Sequence, residues 1–249
     1  MDGVIYHGNQ LLPGVRDFVE WLQREGKEFL FLTNNSAYSP RELREKLLRM
    51  GLDVPVEHFY TSALSTAQFL GEQRPGGSAY VVGDAGIINA LYEEGYSMND
   101  VDPDYVVISE TASYSYETLV KAVNLVRGGA KLIGCNPDLS GPVEKGIVPG
   151  TGALIAPIEL TTGKKAYFLG KPNPLMMRNA ISRIGVKREE TVIVGDRMDT
   201  DVVAGVEAMI ETVLVLSGVT DEAEIETFAY HPTYILNGVG DIPPEPEKL

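Results

Sequence analysis

Thr191-Val192-Ile193-Val194 passes directly into Gly195-Asp196-Arg197-Met198-Asp199-Thr200-Asp201. A short apolar run bounded by such a turn reads as a buried parallel strand. A strand that ends in Gly-Asp and then becomes a helix puts its carboxylate at the carboxyl end of a sheet, where open α/β folds bind ligands. Carboxylates placed there commonly hold a metal. Asp196 stands at the strand tip; Asp201, in the first turn of the following helix, is positioned to cap exposed N–H groups or to brace Asp196. The plainer alternative makes Asp196 a turn residue and Asp201 a helix cap, and the rest of the chain decides between the two.

Working outward, apolar strand runs alternate with helical patterns, the signature of parallel sheets. Leu12-Pro13-Gly14 opens an amphipathic helix to about Glu25, with Val15, Phe18, Val19 and Leu22 on one face. A strand is expected over Glu28 to Leu32. Helices should begin at Ser39-Pro40 and at Thr61-Ser62 and end near Gly51 and Glu72. Arg74-Pro75-Gly76-Gly77 reads as a linker. Beyond it come strand Ala79 to Val82, helix Ala85 to Glu94, strand Tyr105 to Ile108, helix Tyr116 to Arg127, strand Lys131 to Cys135 and a helical stretch Gly152 to Thr161. Gly163-Lys164-Lys165 reads as a second linker, followed by strand Ala166 to Leu169, helix Pro174 to Ile184, strand Thr191 to Val194, helix Thr200 to Met209 and strand Thr212 to Leu216. The Pro- and Glu-rich tail Pro243 to Leu249 is expected to fray.

Composition narrows the class. The chain has 249 residues, 44% of them hydrophobic, ample for one large or two modest domains. A formal net charge of −14 argues against nucleic acid and against anionic membrane surfaces. Any anionic substrate must therefore be held by a local group of cations and amides. The single cysteine, Cys135, cannot form an internal disulfide and is expected to pack as a small apolar residue. No run has the length of a membrane span and the start lacks signal-peptide regions, so the expected location is the cytoplasm.

Three further segments carry polar groups in the same kind of position. Phe29-Leu30-Phe31-Leu32 ends in Thr33-Asn34-Asn35-Ser36, a hydroxyl and amides suited to an anion. Tyr167-Phe168-Leu169 ends in Gly170-Lys171-Pro172-Asn173-Pro174, whose lysine can act as a point charge on a phosphate. Met1-Asp2-Gly3-Val4-Ile5-Tyr6 is an Asp-Gly turn with no strand ahead of it. Taken singly, each is also an ordinary turn or a solvated loop.

In this order the four segments resemble the haloacid dehalogenase superfamily, specifically its branch of NagD-like and 4-nitrophenylphosphatase-like phosphatases. That branch opens with Asp-x-Asp-Gly-Val, matched from its second position by Met1-Asp2-Gly3-Val4. It continues with Thr-Asn (Thr33-Asn34), a large α/β cap, Gly-Lys-Pro (Gly170-Lys171-Pro172) and Gly-Asp-x-x-x-Thr-Asp (Gly195 to Asp201). Asn136-Pro137-Asp138 and Gly150-Thr151-Gly152 fall where the branch's cap has similar segments. The resemblance implies a doubly wound, parallel-sheet, Rossmann-like α/β core, residues 1–77 and 166–249, with an inserted α/β cap over 78–165.

It also implies a phosphatase that hydrolyses small phosphomonoesters of the nucleotide, sugar phosphate or 4-nitrophenyl phosphate type through an aspartyl-phosphate. Asp2 would protonate the leaving alcohol and then activate water. Mg²⁺ would be held by the nucleophile, the backbone carbonyl of Asp2 and the Asp196 carboxylate, with Asp201 bracing from behind. Thr33, the Asn34 amide and Lys171 would bind the phosphoryl oxygens. Asn136 and Asp138 are the groups expected to face the substrate from the cap, whose loops would exclude water and select the leaving group. Tyr114-Ser115-Tyr116 could stack on a ring, with helix packing the simpler reading. His7, His58 and His231 do not cluster and receive no role. The expected partner is a small phosphorylated metabolite, not nucleic acid or membrane, with pairing of copies through the cap left open.

The chain departs from the family at its first residue. The nucleophile falls immediately before Met1, and the apolar strand that leads to it would be central in this fold. Losing such a strand would cost on the order of 10 kcal/mol, comparable with the whole stability of a typical domain. The expectation is therefore a phosphatase whose sequence continues upstream of Met1. The alternative is a catalytically dead protein that binds phosphate and metal. A receiver-type signalling domain shares the acidic cluster, Thr and Lys, but it has about half this length and no cap.

Overall fold

Local sequence signals set the helix ends. In the computed structural model, which describes residues 1–143 and 146–243, Ser39 closes a capping box on helix Pro40–Arg49. The Glu42 N–H donates to Ser39 Oγ at 3.3 Å, and the Ser39 N–H donates to the Glu42 carboxylate at 2.8 Å. Thr61 Oγ1 caps helix Ser62–Gln73 by accepting the Leu64 N–H at 3.2 Å. Helix Val15–Arg24 buries Val15, Phe18, Val19 and Leu22, the face that the spacing predicts. No helix among the described residues is long and apolar enough to cross a membrane. The tail beyond Pro243 lies outside the described residues.

The chain forms an α/β structure built on parallel strand pairs. On the core side, Phe31–Thr33 pairs with Phe59–Thr61, and Val192–Gly195 pairs with Glu211–Val215, which in turn pairs with Tyr234–Leu236. These two groups are separate sheets. Between their facing edges lies a cavity of about 460 Å³, lined on one side by Phe29 to Leu32 and on the other by Thr191 to Val194. Met1, Lys171 and Asp201 also line it. An unpaired strand edge exposes a row of N–H and C=O groups.

The cap carries its own five-stranded sheet, in the order Tyr167–Phe168, Lys131–Gly134, Tyr105–Ile108, Ser78–Val82, Ser97–Met98, parallel throughout. Helices Ala85–Glu93, Tyr116–Gly128 and Thr151–Thr162 connect its strands. Here the sequence reading needs correction. Strand 166–169, assigned to the core beyond the Gly163–Lys165 linker, pairs instead with Lys131–Gly134, Tyr167 standing opposite Ile133. Two apolar residues per face suit either sheet, so only the pairing partner decides. Helix Ser62–Gln73 likewise turns Ala63, Ala67 and Leu70 into the cluster built around Ala79, Ile87 and Val107 of the cap.

Two hairpins escape the sequence reading: Tyr6–His7 with Gln10–Leu11, and Ser140–Val143 with Gly146–Pro149. Both are rich in glycine or proline, which mask the period of a strand. The segment after Gly195 begins as a π turn over Met198–Val202 before the α-helix Val203–Ala208. Cys135 is fully buried, and burial pushes its thiol up to about 12, as expected of a packed, inert residue. Tyr114 donates its hydroxyl to the Leu154 carbonyl at 2.7 Å, so it packs against helix Thr151–Thr162.

Candidate active site

Lys171 and Asp201 line the cavity together with Met1, and Asp196 lies within electrostatic reach of all three. Asp196, at the tip of Val192–Gly195, is buried, and its Oδ2 accepts the Val219 N–H at 3.0 Å. Gly3 and Gly218 pack flat against it; a Cβ on either would come within 2.3 and 2.1 Å of Oδ2, respectively. Gly3 also has φ +76°, a conformation that favours glycine. The Asp2-Gly3 turn and the loop after Glu211–Val215 are thus pressed onto one carboxylate, and Ser217 Oγ ties them together by donating to the Gly3 carbonyl at 2.7 Å.

Lys171 Nζ donates to Asp201 Oδ1 at 2.6 Å, and both side chains are under 10% exposed, at 9% and 7%. Asp201 Oδ2 also accepts the Arg197 N–H at 3.3 Å. Asp201 therefore caps its own turn and holds the lysine; it makes no hydrogen bond to Asp196 among the described residues. Burial drives the Asp201 pKa up, but the charge and hydrogen bond of Lys171 outweigh it and hold the carboxyl below its ordinary value. Asp196 goes the other way: burial, then the charge of Asp201, raises its pKa. The Met1 amine is buried in the same cluster, where burial and Lys171 lower its pKa while Asp196, Asp201 and Asp2 raise it.

Thr33, the last residue of Phe31–Thr33, and Asn34 after it are both buried. Asn34 clasps the lysine's backbone in both directions, with Oδ1 accepting the Lys171 N–H at 2.7 Å and Nδ2 donating to the Lys171 carbonyl at 3.0 Å. Nδ2 also reaches Asp138 of the cap, at 3.1 and 3.3 Å from its two oxygens. Thr33 Oγ1 accepts the Asn35 N–H at 3.1 Å.

Asn136 does not stand where the sequence reading puts it. Its Nδ2 donates to the Asn34 carbonyl at 2.7 Å and to Glu110 Oε1 at 3.4 Å, while Oδ1 accepts the Asp138 N–H at 3.1 Å. Fully buried, with its amide committed in this way, it braces the loop rather than meeting a substrate. Asp138 is closer to the expected role: burial raises its pKa in spite of the Asn34 hydrogen bond, and Arg197 lies near enough to pull it back.

Three residues near the site received no role from the sequence. His7 Nδ1 lies 3.5 Å from Asp2 Oδ1, brought there by the hairpin, which leaves no local signal. Arg197 forks onto Asp199 at 2.9 and 2.7 Å. Glu110 follows the apolar run Val106-Val107-Ile108 and so shares the strand-tip pattern of the other site residues, a signal that was there to be used. His58 is structural: it stacks on Phe29 with ring centroids 4.2 Å apart, and its Nδ1 is 2.9 Å from the Phe29 carbonyl oxygen.

No three His, Cys, Asp or Glu side chains among the described residues are grouped so as to hold a metal by themselves. Mg²⁺ asks for less, commonly one or two carboxylates with waters and substrate phosphate oxygens completing the shell. The buried Asp196 carboxylate, whose pKa is raised by burial and by Asp201, with the Asp2-Gly3 turn packed against it, fits that demand.

A buried lysine, a strand-tip carboxylate and a Thr-Asn loop stand at the carboxyl ends of parallel strands, the position where open α/β folds bind ligands. Residues 1–97 match the model of a family described as haloacid dehalogenase-like hydrolase, and residues 168–242 match a related hydrolase-like model. The dihydroxyacetone phosphatase of Corynebacterium glutamicum is 46% identical over 97% of this chain and 88% of its own length. The solved structure of NagD from Escherichia coli aligns with a TM-score of 0.92 at 40% identity, covering 98% of this chain and 96% of NagD. That of the Thermotoga maritima 4-nitrophenylphosphatase gives 0.93 at 34% identity, covering 97% and 93%. The chain belongs to the haloacid dehalogenase-like hydrolase family.

Proposed function

We propose that this protein is a Mg²⁺-dependent phosphatase of small phosphomonoesters, with its nucleophile an aspartate immediately before Met1. The observation that carries the reading is the position of the Met1 amine, the point where a preceding residue attaches, buried among Lys171, Asp196 and Asp201. An apolar strand leading to that aspartate has a place to lie, since the cavity between Phe29 to Leu32 and Thr191 to Val194 opens onto the same cluster. The relatives bear phosphatase names for dihydroxyacetone phosphate, ribonucleotide and nitrophenyl substrates, and this chain's substrate is read as one of that kind.

Turnover would run in two displacements. The aspartate oxygen forms a bond to phosphorus as the ester P–O bond breaks, and Asp2 gives its proton to the departing alkoxide. Asp2, now a carboxylate, takes a proton from water, whose oxygen attacks phosphorus, and the acyl-phosphate bond breaks to return the free aspartate. The half-exposed Asp2 carboxyl group is free to face the leaving group. Thr33 Oγ1, the Asn34 backbone N–H and Lys171 Nζ would bind the phosphoryl oxygens, the Asn34 side chain being committed to the Lys171 backbone. Asp201 fixes the lysine head. Asp196 and the Asp2 carbonyl would hold Mg²⁺, which when bound neutralises charge on the phosphoryl oxygens.

The test compares the chain starting at Met1 with one extended by its upstream codons, using 4-nitrophenyl, nucleotide and triose phosphates with Mg²⁺ or a chelator. Metal-dependent hydrolysis confined to the extended chain is the expected result. An extended chain that binds phosphate and metal but turns over none of these substrates would overturn the reading in favour of a binding protein.

A further inference from the structure

The cap touches the Thr33–Ser36 loop itself, not only the space above it. Glu110, at the tip of Tyr105–Ile108, accepts the Ser36 N–H on Oε2 at 3.3 Å and the Asn136 Nδ2–H on Oε1 at 3.4 Å. Its own N–H donates to Ser36 Oγ at 3.4 Å, and Ser109 Oγ donates to the same oxygen at 2.8 Å. Ser36 is fully buried by these contacts. From the other side the Gly86 N–H donates to the Ala37 carbonyl at 2.8 Å, and a Cβ on Gly86 would sit 2.5 Å from the Ser36 carbonyl oxygen. The loop is thus held between a strand tip and a helix start, both from the cap.

We propose that Glu110 is a positioning residue: its carboxyl group, carried by the cap, holds the Ser36 end of the loop so that Thr33 and the Asn34 N–H stay aimed at the anion. The role in turnover rests on the reading of this loop as the phosphoryl grip; the clamp itself rests on the contacts above. A carboxyl group suits the position because it is the acceptor for two N–H donors from different elements, which an alanine or a hydroxyl cannot replace. Its neighbours agree. Asp138 faces it from the loop after Lys131–Gly134, Tyr6 from the core, and Cys135 from the end of that strand. Asp2 faces Tyr6, and Lys46 lies over the Tyr6 ring at 3.9 Å. Burial and Asp138 both disfavour charge on Glu110 and raise its pKa to about 7; a glutamine keeps an amide oxygen for the Ser36 N–H and gives up only the 3.4 Å contact with Asn136.

Deuterium exchange of the amides over 33–37, measured on the chain itself, separates a clamp from general scaffolding. Glu110→Ala should speed exchange at Ser36 about tenfold, while Glu110→Gln should stay near wild type. Asp100→Ala, which removes the partner of Lys121 on the cap surface, should leave the segment unchanged. In the extended enzyme, Glu110→Ala should raise the inhibition constant of inorganic phosphate and KM together by a similar factor with a much smaller change in kcat, and Glu110→Gln should rescue both. The proposal is overturned if exchange at 33–37 is unmoved in Glu110→Ala, if it rises equally across the whole cap or in Asp100→Ala, or if phosphate inhibition is unchanged. Should the extended enzyme hydrolyse nothing, the functional reading falls and the exchange comparison still decides the clamp.

Discussion

Replacing Lys171 with Met should damage stability and activity through separable causes. The lysine head is the partner of Asp201 at 2.6 Å, and both groups are almost out of reach of water. Removing one member of a buried pair leaves the other charge uncompensated, at a cost of about 3–5 kcal/mol. Among the described residues the Asp201 carboxylate keeps one other hydrogen bond, from the Arg197 N–H at a long 3.3 Å. For a chain of this size the loss corresponds to a fall in Tm of roughly 6–20 °C. Losing one preorganised charge at the phosphoryl group should cost about 2–4 kcal/mol in kcat/KM, roughly 30- to 1000-fold. Adding Asp201→Asn to Lys171→Met removes the stranded charge, so the double variant should regain most of the lost Tm and none of the activity. Melting curves and initial rates on the extended enzyme measure both. A single variant that melts with the wild type, or a double variant that recovers catalytic efficiency, would refute the assignment of Lys171 as both Asp201's partner and the phosphoryl cation.

Asp196→Asn should abolish Mg²⁺-dependent hydrolysis yet raise the metal-free Tm, because burial and Asp201 already disfavour the charge there; Mg²⁺ should no longer stabilise the variant in a melt. Gly218→Ala should cut activity about a hundredfold with the fold kept, since the new Cβ would fall 2.1 Å from Asp196 Oδ2 and displace the carboxylate, as rates and circular dichroism would show. Glu110 has a folded-state pKa of about 7, raised from 4.5, so the folded protein binds the proton more tightly than the unfolded chain. Its contribution is therefore full below the unfolded value and is lost as pH rises towards and through 7, on the order of 3 kcal/mol across the window. Urea titrations from pH 4.5 to 8 should show this slope in wild type and not in Glu110→Gln.

Much of the architecture was legible locally. Ser39 with Glu42 and Thr61 ahead of Ser62 announce helix starts because capping is a contact over three residues. The Val192 to Gly195 strand announces its acid because a parallel strand must be apolar along its length and can place polar groups only past its end. By the same logic Thr33, Lys171 and Asp196 could be named before any coordinates, and all three are buried. The sequence determined which residues stand at strand tips, since periodicity and turn chemistry act over a few positions.

Only the tertiary structure decided what those residues touch. Asn34 meets the Lys171 backbone 137 positions away, Asn136 is drawn from the substrate side into the loop, and Glu110 reaches from the cap to Ser36. Strand Tyr167–Phe168 joins the cap sheet because its pairing partner is Lys131–Gly134, a choice its own two residues cannot express. The slot between Phe29 to Leu32 and Thr191 to Val194 belongs to neither segment alone. Such contacts depend on how sheets close and stack across long separations, and no window of sequence contains both partners.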